Sequence, residues 1–408
     1  MQGVDRPCNQ GLLRTRSDPK WYKSTMSRSQ DNAGLLDSAR RIVVKLGTNL
    51  VMRDELSIDT GLIESVADQI TRLRSSGKEV LVVSSGAVGI GAGRLGLGSV
   101  PGGLSQMQAC AAIGQADLMS AWRSALSRHG IDVAQLLISQ HTFTNRRSYL
   151  NLRATLEQLG AFGVVPIINE NDPVATDELH DESDVFSDND VLSALIMSKL
   201  DADLLVLMTT VPGLYSGAMA ADGTRQIYQD IHEITAEHEH AASGPSPLGR
   251  GGMHTKLRAA SIAMDCGGMA VIVDGRQPQV LPRLLGGDVL GTLFLPRRTL
   301  SSRRRWILHA AQPAGLIRIN DGASQALLRR KASLLPVGII DITGSFQAGD
   351  VARVVAEDGS EIARGVVNYG ADEARGLLQE QVAGTEQRGR YDPIMTRDDI
   401  VLISEQPT

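Results

Sequence analysis

Cysteine is nearly absent from this chain: Cys8, Cys110 and Cys266 are the three among 408 residues. They stand far apart and form no C-x-x-C pair, so they offer neither a disulfide framework nor a zinc spacing. A sparse, odd set fits a reducing cytosol, and a cytoplasmic location is the expectation. Long apolar runs are missing as well. No stretch of 18 or more apolar residues occurs, so no transmembrane helix is expected. A large excess of one charge is also lacking. The net charge of -5 gives no general pull toward nucleic acid or an anionic membrane. There is no internal repeat, no low-complexity tract and no obvious Ser/His/Asp set.

What remains is an ordinary soluble composition, long enough for two domains and a sizeable core. Residues 1–38 are polar, somewhat basic and without periodicity. They lack the apolar central block of a secretory signal, and a disordered N-terminal extension is expected there. Met26 offers an alternative start within it.

From Arg41 the pattern alternates strands and helices. "RIVVKLG" and "EVLVVSSG" are short apolar strands. Between them Leu62, Ile63, Val66, Ile70 and Leu73 mark one helical face, and Gly77 stops that helix. The rhythm continues through "LSQMQACAAIGQADLMSAWRSALSRHG", "IDVAQLLIS", "SYLNLRATLEQLG", "VVPIIN", "DVLSALIMSKL", "DLLVLMTT", "KLRAASIAMDCGG" and "MAVIVDG". These strands are near-continuous apolar runs, as expected of strands covered on both faces. The fold class is therefore α/β, a three-layer α/β/α sandwich with a mostly parallel sheet, over residues 39–300. Residues 301–311, with their run of arginines, read as a linker. Short strands separated by Gly and Asp turns follow in 312–395, a small β-rich domain, and 396–408 is a tail.

In parallel sheets ligands sit beyond the carboxyl ends of the strands. Lys45, in "IVVKLGTN", is either a snorkelling surface lysine or a cation held at a sheet end beside a glycine turn. "SSGAVGIGAG" clusters glycines but is followed by neither the strand nor the acid of a dinucleotide fold. "VVPIINENDPVAT" ends an apolar strand in Asn169, Glu170, Asn171 and Asp172, which fits a turn, a metal site or a grip on substrate. In "DESDVFSDND", Asp188 or Asn189 is a ready helix cap. "LGRGGMHTKLRAA" puts glycines before a helix start with Lys256. It is not the GK[ST] loop, yet its free N–H groups suit an anion. Together, two cations, glycine amides and acids are the parts of phosphoryl transfer, which needs positioning and charge neutralisation more than a nucleophilic side chain.

At these residues a specific resemblance emerges. "VVKLGTN", "VVSSGAVGIG", "VPIINENDPVAT", "FSDNDVLSAL" and "GRGGMHTKLRAA" occur in this order and resemble the motifs of the glutamate 5-kinase group within the amino acid kinase family. The likeness extends over about residues 39–395, and the part from "SLLPVGIIDITGSFQAGDVARVV" onward resembles a PUA domain. The resemblance implies transfer of a phosphoryl group from ATP, with Mg²⁺, to the side-chain carboxylate of L-glutamate, the first step of proline synthesis. It implies catalytic roles for Lys45, Lys256 and Asp190, the last orienting both lysines. It implies glutamate binding by Ser85, Asp172 and Asn189, with Asn169 lining the pocket. Nucleotide binding falls to Lys45, Thr209, Thr210, Arg250, Gly251, Gly252, Met253, His254, Thr255 and Lys256. No protein ligand for a resident metal is assigned. Proline as feedback inhibitor and a homo-oligomer are implied as well. The chain departs from the family pattern at Thr210, often Asp; at Arg250, often Thr; and at Ser187, commonly Gly. Alternatives are a sibling kinase acting on another acceptor, or an RNA-binding PUA protein. Against the latter, residues 312–395 hold nine Lys/Arg and eleven Asp/Glu, so the basic footprint of RNA binding is lacking.

Overall fold

The computed structural model describes residues 30–139, 142–143, 145–174, 188–219, 224–242, 252–297, 300–330, 332–382 and 393–403. Its main sheet has eight strands. In chain order these are β1 (Arg41–Leu46), β2 (Glu79–Ser84), β3 (Val133–Ile138), β4 (Val165–Glu170), β5 (Leu204–Thr209), β8 (Asp230–Ile231), β9 (Met269–Asp274) and β10 (Thr292–Phe294). A separate hairpin pairs β6 (Tyr215–Met219) with β7 (Arg225–Ile227). The spatial order of the sheet is β3-β4-β2-β1-β5-β9-β10-β8. The first six of that row run parallel; β10 turns antiparallel to β9 and carries β8 at the edge. The expected mostly parallel α/β/α sandwich is what forms.

Strand β1 is central, with β2 on one side and β5 on the other. The chain therefore winds outward in both directions from β1, and a crevice opens at the carboxyl ends around it. Side chains alternate between the two faces. Ile42, Val44 and Leu46 join the core beneath the helices Thr60–Ser75 and Leu104–Ser127. Val43 joins the opposite core, beneath the helices Arg146–Ala161, Asn189–Leu200 and Met253–Asp265. Asn189–Leu200 lies between sheet and neighbours with every residue from Asp190 onward buried.

Residues 30–38 correct the expectation of a wholly disordered extension. Gln30–Ser38 is a helix whose Leu36 is fully buried, and Asn32 donates to Asp230 Oδ2 at 2.9 Å. Its apolar face is too narrow to read as periodicity. Residues 1–29 lie outside the described residues.

The second domain is a five-stranded sheet in the order β12-β11-β13-β14-β15. Its strands are β11 (Gly315–Ile319), β12 (Ile339–Gly344), β13 (Val351–Val355), β14 (Glu361–Val366) and β15 (Ile400–Leu402). β15 pairs antiparallel with β14, so the sheet reaches into the segment expected as a tail. The connector is not free either. Trp306–Ala310 forms a turn of π-helix in which Ile307 is fully buried. Ile307 and Ala311 pack on Val351, Val366 and Val401 of the second sheet.

Candidate active site

The alternation along β1 decides where Lys45 goes. It shares a face with Val43, so it emerges beneath the helices Asn189–Leu200 and Met253–Asp265. Those helices bring Asp190 and Lys256 to the same place. Asp190 is fully buried, and Lys45 and Lys256 are nearly so. Lys45 Nζ lies 2.5 Å from Asp190 Oδ1, and Lys256 Nζ lies 2.9 Å from Asp190 Oδ2. Thr255 adds a hydroxyl to the same Oδ2 at 3.1 Å and also donates to the Gly252 carbonyl at 2.9 Å. Burial alone would raise the Asp190 carboxyl; the charges of Lys45 and Lys256 outweigh it and hold the group below the ordinary carboxylate range. The snorkelling reading of Lys45 is excluded by its burial.

On the other face, residues that end β2 and β4 meet the helix Leu104–Ser127. Trp122 donates to Ser84 Oγ at 3.1 Å. Asn169 donates from Nδ2 to Gln115 Oε1 at 2.9 Å. Asn189 then ties the two sides together, donating from Nδ2 to Ser85 Oγ at 2.8 Å and to Asn169 Oδ1 at 3.0 Å. Its own Oδ1 is buried and has no hydrogen bond among the described residues.

Several of these groups wall a cavity of about 190 Å³, a size for a small metabolite rather than a macromolecule. Its lining takes in Lys45, Ser85, Asn169, Glu170, Asp172, Asn189, Thr209, Thr210 and Lys256. Several helix starts also face it: Thr48 and Asn49, Ala87 and Val88, and Asp188 and Asn189. The positive ends of helix dipoles thus converge on one cleft, which favours an anionic ligand. Gly86 makes the turn from β2 into the helix Ala87–Arg94 with φ 109°, a conformation that favours glycine. The other glycines of "SSGAVGIGAG" serve packing. A Cβ on Gly91 would lie 1.8 Å from the Cys110 carbonyl oxygen, and one on Gly114 would lie 2.0 Å from that of Ala87. The two helices therefore touch backbone to backbone behind the cleft.

Thr209 ends β5 and Thr210 follows it. Arg276 braces this turn: its Nη2 donates to the Thr210 carbonyl at 2.6 Å, and its guanidinium is held by the buried Asp274 at the end of β9. Gly252 caps the helix Met253–Asp265. Met253, His254 and Thr255 form its first turn, outside the cavity lining; Ser187, Arg250 and Gly251 lie outside the described residues.

Asp188 is the cap of Asn189–Leu200, accepting the Asp190 amide on Oδ1 at 2.8 Å. Its Oδ2 is buried without a hydrogen bond among the described residues. Burial pushes its carboxyl up, the neighbouring Asp190 charge adds to this, and Lys45 opposes it. No group of three His, Cys, Asp or Glu at metal-binding distance occurs among the described residues. A Mg²⁺ that travels on nucleotide phosphates needs only one or two carboxylates, and Asp188 Oδ2 fits that need. Cys266 is no candidate nucleophile: burial pushes its thiol up to about 11.

Residues 40–274, more than half of the chain, match the model of the amino acid kinase family. The chain belongs to that family. Residues 315–385 match the PUA domain model. This amino acid kinase is 40% identical to the glutamate 5-kinase of Geobacter sulfurreducens over 376 residues, covering 91% of this chain and 100% of that protein. It is 40% identical to the glutamate 5-kinase of Chromohalobacter salexigens over 383 residues, covering 93% and 100% respectively. Among solved structures, Giardia carbamate kinase aligns with a TM-score of 0.45 at 18% identity, covering 64% of this chain and 100% of that one.

Three contributors to the kinase site escape the motif reading. Asp188 was legible only as a cap. Gln115 hides in a helix, although Ala111, Gly114 and Leu118 show that it lies on the buried side, where a glutamine needs a partner. Arg276 lies in "VDGRQPQ", and nothing in that stretch shows that it reaches the turn after β5.

Proposed function

We propose that the protein transfers the γ-phosphoryl group of ATP to the side-chain carboxylate of L-glutamate, forming L-glutamyl 5-phosphate, the first step of proline biosynthesis. The observation that carries this reading is the Asp190 carboxylate spanning two buried lysines at the floor of a cleft for a small anion.

In the reaction a carboxylate oxygen bonds to the γ-phosphorus as the bond from that phosphorus to the β–γ bridging oxygen breaks, and ADP leaves. Lys45 meets the transferring phosphoryl oxygens. Lys256 meets the β/γ oxygens from the nucleotide side. Asp190 keeps both ammonium groups aimed and stays ionised to do so. Fixed cations in a site of low water content stabilise charge that grows on these oxygens without reorganising. Asp188 would hold a Mg²⁺ carried on the phosphates, which would supply further neutralisation of that charge.

The amino acid occupies the other half of the cleft. Asn189 Oδ1, an acceptor without a partner, stands with Asp172 in the same lining, and the pair suits an α-ammonium group. Ser85 and Asn169, with the amides at the start of the helix Ala87–Arg94, suit the substrate carboxylates. Thr209, Thr210 and the segment Arg250, Gly251, Gly252, Met253, His254 and Thr255 receive the nucleotide. Proline is glutamate with its side chain closed on the amine, so it competes for this half as a feedback inhibitor. The protein is cytoplasmic and works as a homo-oligomer. Its PUA domain is structural or regulatory rather than a nucleic-acid reader.

ATP-dependent hydroxamate formation on a panel of acceptors tests the reading. Activity with glutamate that falls in millimolar proline is expected. Activity with aspartate but not glutamate would sink the assignment, and unchanged kinetics in proline would remove the inhibitor.

A further inference from the structure

The helix Asn189–Leu200 carries Asn189 and Asp190 at one end and is held by the interdomain connector at the other. Its cap residue, Asp201, takes the left-handed conformation with φ 49°. The Asp201 carboxylate pairs with Arg305, which belongs to the connector, and with Arg153 Nη1 at 3.2 Å. Arg305 is 4% exposed, and it also donates to the Cys266 carbonyl. Two further cations serve the same end. Arg41 donates to the Leu200 carbonyl at 2.6 Å, and the Lys199 ammonium stands 3.0 Å over the Tyr149 ring. Cations are favoured at a helix C-terminus, but only Arg305 among these four comes from outside the kinase fold proper.

The connector continues without slack into the second domain. Trp306 donates to the Phe143 carbonyl at 3.0 Å, and Ile307 enters the cluster with Val351, Val366 and Val401. Arg364 of β14 donates to the Leu308 carbonyl at 3.1 Å. A chain of packed, hydrogen-bonded groups thus runs from the PUA sheet through Arg305 to Asp201. A buried helix of 12 residues, about 18 Å long, completes the path to the cleft.

We propose that Arg305 is a positioning residue: through Asp201 it sets the place of Asn189 and Asp190, and so links the PUA domain to the glutamate half of the active site. This rests on the glutamate kinase reading. Thr209 ends β5 and Thr210 follows it, and Gly252 and the first turn of Met253–Asp265 belong to another helix. Displacing Asn189–Leu200 should therefore disturb glutamate use and turnover more than nucleotide binding, of which it touches only the part that Asp190 holds through Lys45, Thr255 and Lys256.

The test compares the full-length wild type with Arg305→Gln, Arg305→Lys, Asp201→Asn and the Arg305→Gln/Asp201→Asn double variant. Asn tolerates the left-handed cap, and the Asp201 side chain is 46% exposed, so Asp201→Asn keeps the question open if Arg305→Gln does not fold. Expected for Arg305→Gln and Asp201→Asn are a turnover loss of tenfold or more and a severalfold rise in the glutamate KM. The Kd of a non-hydrolysable ATP analogue should rise by a smaller factor than the glutamate KM, Arg305→Lys should recover part of the loss, and the double variant should be no worse than the worse single one. Amide hydrogen exchange at residues 188–193 should speed up in both single variants. Folded variants with wild-type glutamate kinetics, or a turnover loss that only follows the unfolded fraction with KM unchanged, would overturn the proposal. A wild type inactive on glutamate would overturn the functional reading alone, and exchange at 188–193 would then decide the positioning, unchanged rates counting against it.

Discussion

Asp190 gives one carboxylate oxygen to each of two lysines, 2.5 Å to Lys45 and 2.9 Å to Lys256. Two buried ammonium groups this close would repel each other and swing apart without the acid. Asp190→Asn keeps the shape and removes the charge. Turnover in the coupled ADP-release assay should fall on the order of 10²–10³-fold, comparable to loss of a transition-state donor. A variant with near wild-type turnover would show that the lysines need no common anchor.

Asp188 carries the opposite pH signature to its neighbour. Its carboxyl is pushed up by burial, so its ionised form costs folding stability at neutral pH. That cost is absent below the unfolded value of 3.8, grows as pH rises through the higher folded value, and is constant above it. Asn still caps a helix. Asp188→Asn should therefore raise the melting temperature at pH 7–8, with the gain shrinking as pH is lowered toward 4, while activity drops. A lowered melting temperature at pH 7 would contradict this. Asp190 runs the other way: its depressed carboxyl stabilises the fold above 3.8, and that contribution is lost as pH falls through the lower folded value.

Gln115 acts through Asn169. Gln115→Leu preserves approximate volume and removes the acceptor for the Asn169 amide, leaving a buried donor unpaired. The expected result is a glutamate KM raised by about tenfold, the effect of roughly 1.4 kcal/mol, with the ATP KM unchanged. Equal changes in both KM values would point to general loosening of the fold.

Gly91→Ala should be among the most damaging small substitutions. Its Cβ would meet the Cys110 carbonyl oxygen at 1.8 Å, a backbone atom that cannot rotate away. Forcing the helices Ala87–Arg94 and Leu104–Ser127 apart should cost at least about 1–3 kcal/mol in urea unfolding. Gly98→Ala, with open space around it, is the control and should cost little.

Much of this was legible in the sequence because it depends on short-range pattern. Apolar runs such as "EVLVVS" and "VPII" mark strands that need no knowledge of their neighbours, and the polar residues that end them fall at the working edge of the sheet. Lys45, Ser85, Asn169, Asp172, Asn189, Thr209, Thr210 and Lys256 line one cleft. What escaped depends on long-range packing. Asn32 meets Asp230 across 198 residues, and Arg276 meets Thr210 across 66, with no local mark on either partner. Ile400–Leu402 is too short to be read as a strand until β14 is there to pair with it. Arg305 stands in "SSRRRW", a run that looks like solvated connector, and only the fold shows that one of its three arginines is buried.

The glycine-paired helices have a consequence for how this enzyme can change over time. The wall that they form presents peptide N–H groups to the cleft, and the space behind those groups is already filled by another backbone. Side-chain substitution there has almost nowhere to go. Selection for a new acceptor would have to act on the side chains of Asn169, Asp172 and Asn189 instead, so one part of the pocket is free to diversify while the backbone wall is inherited nearly unaltered.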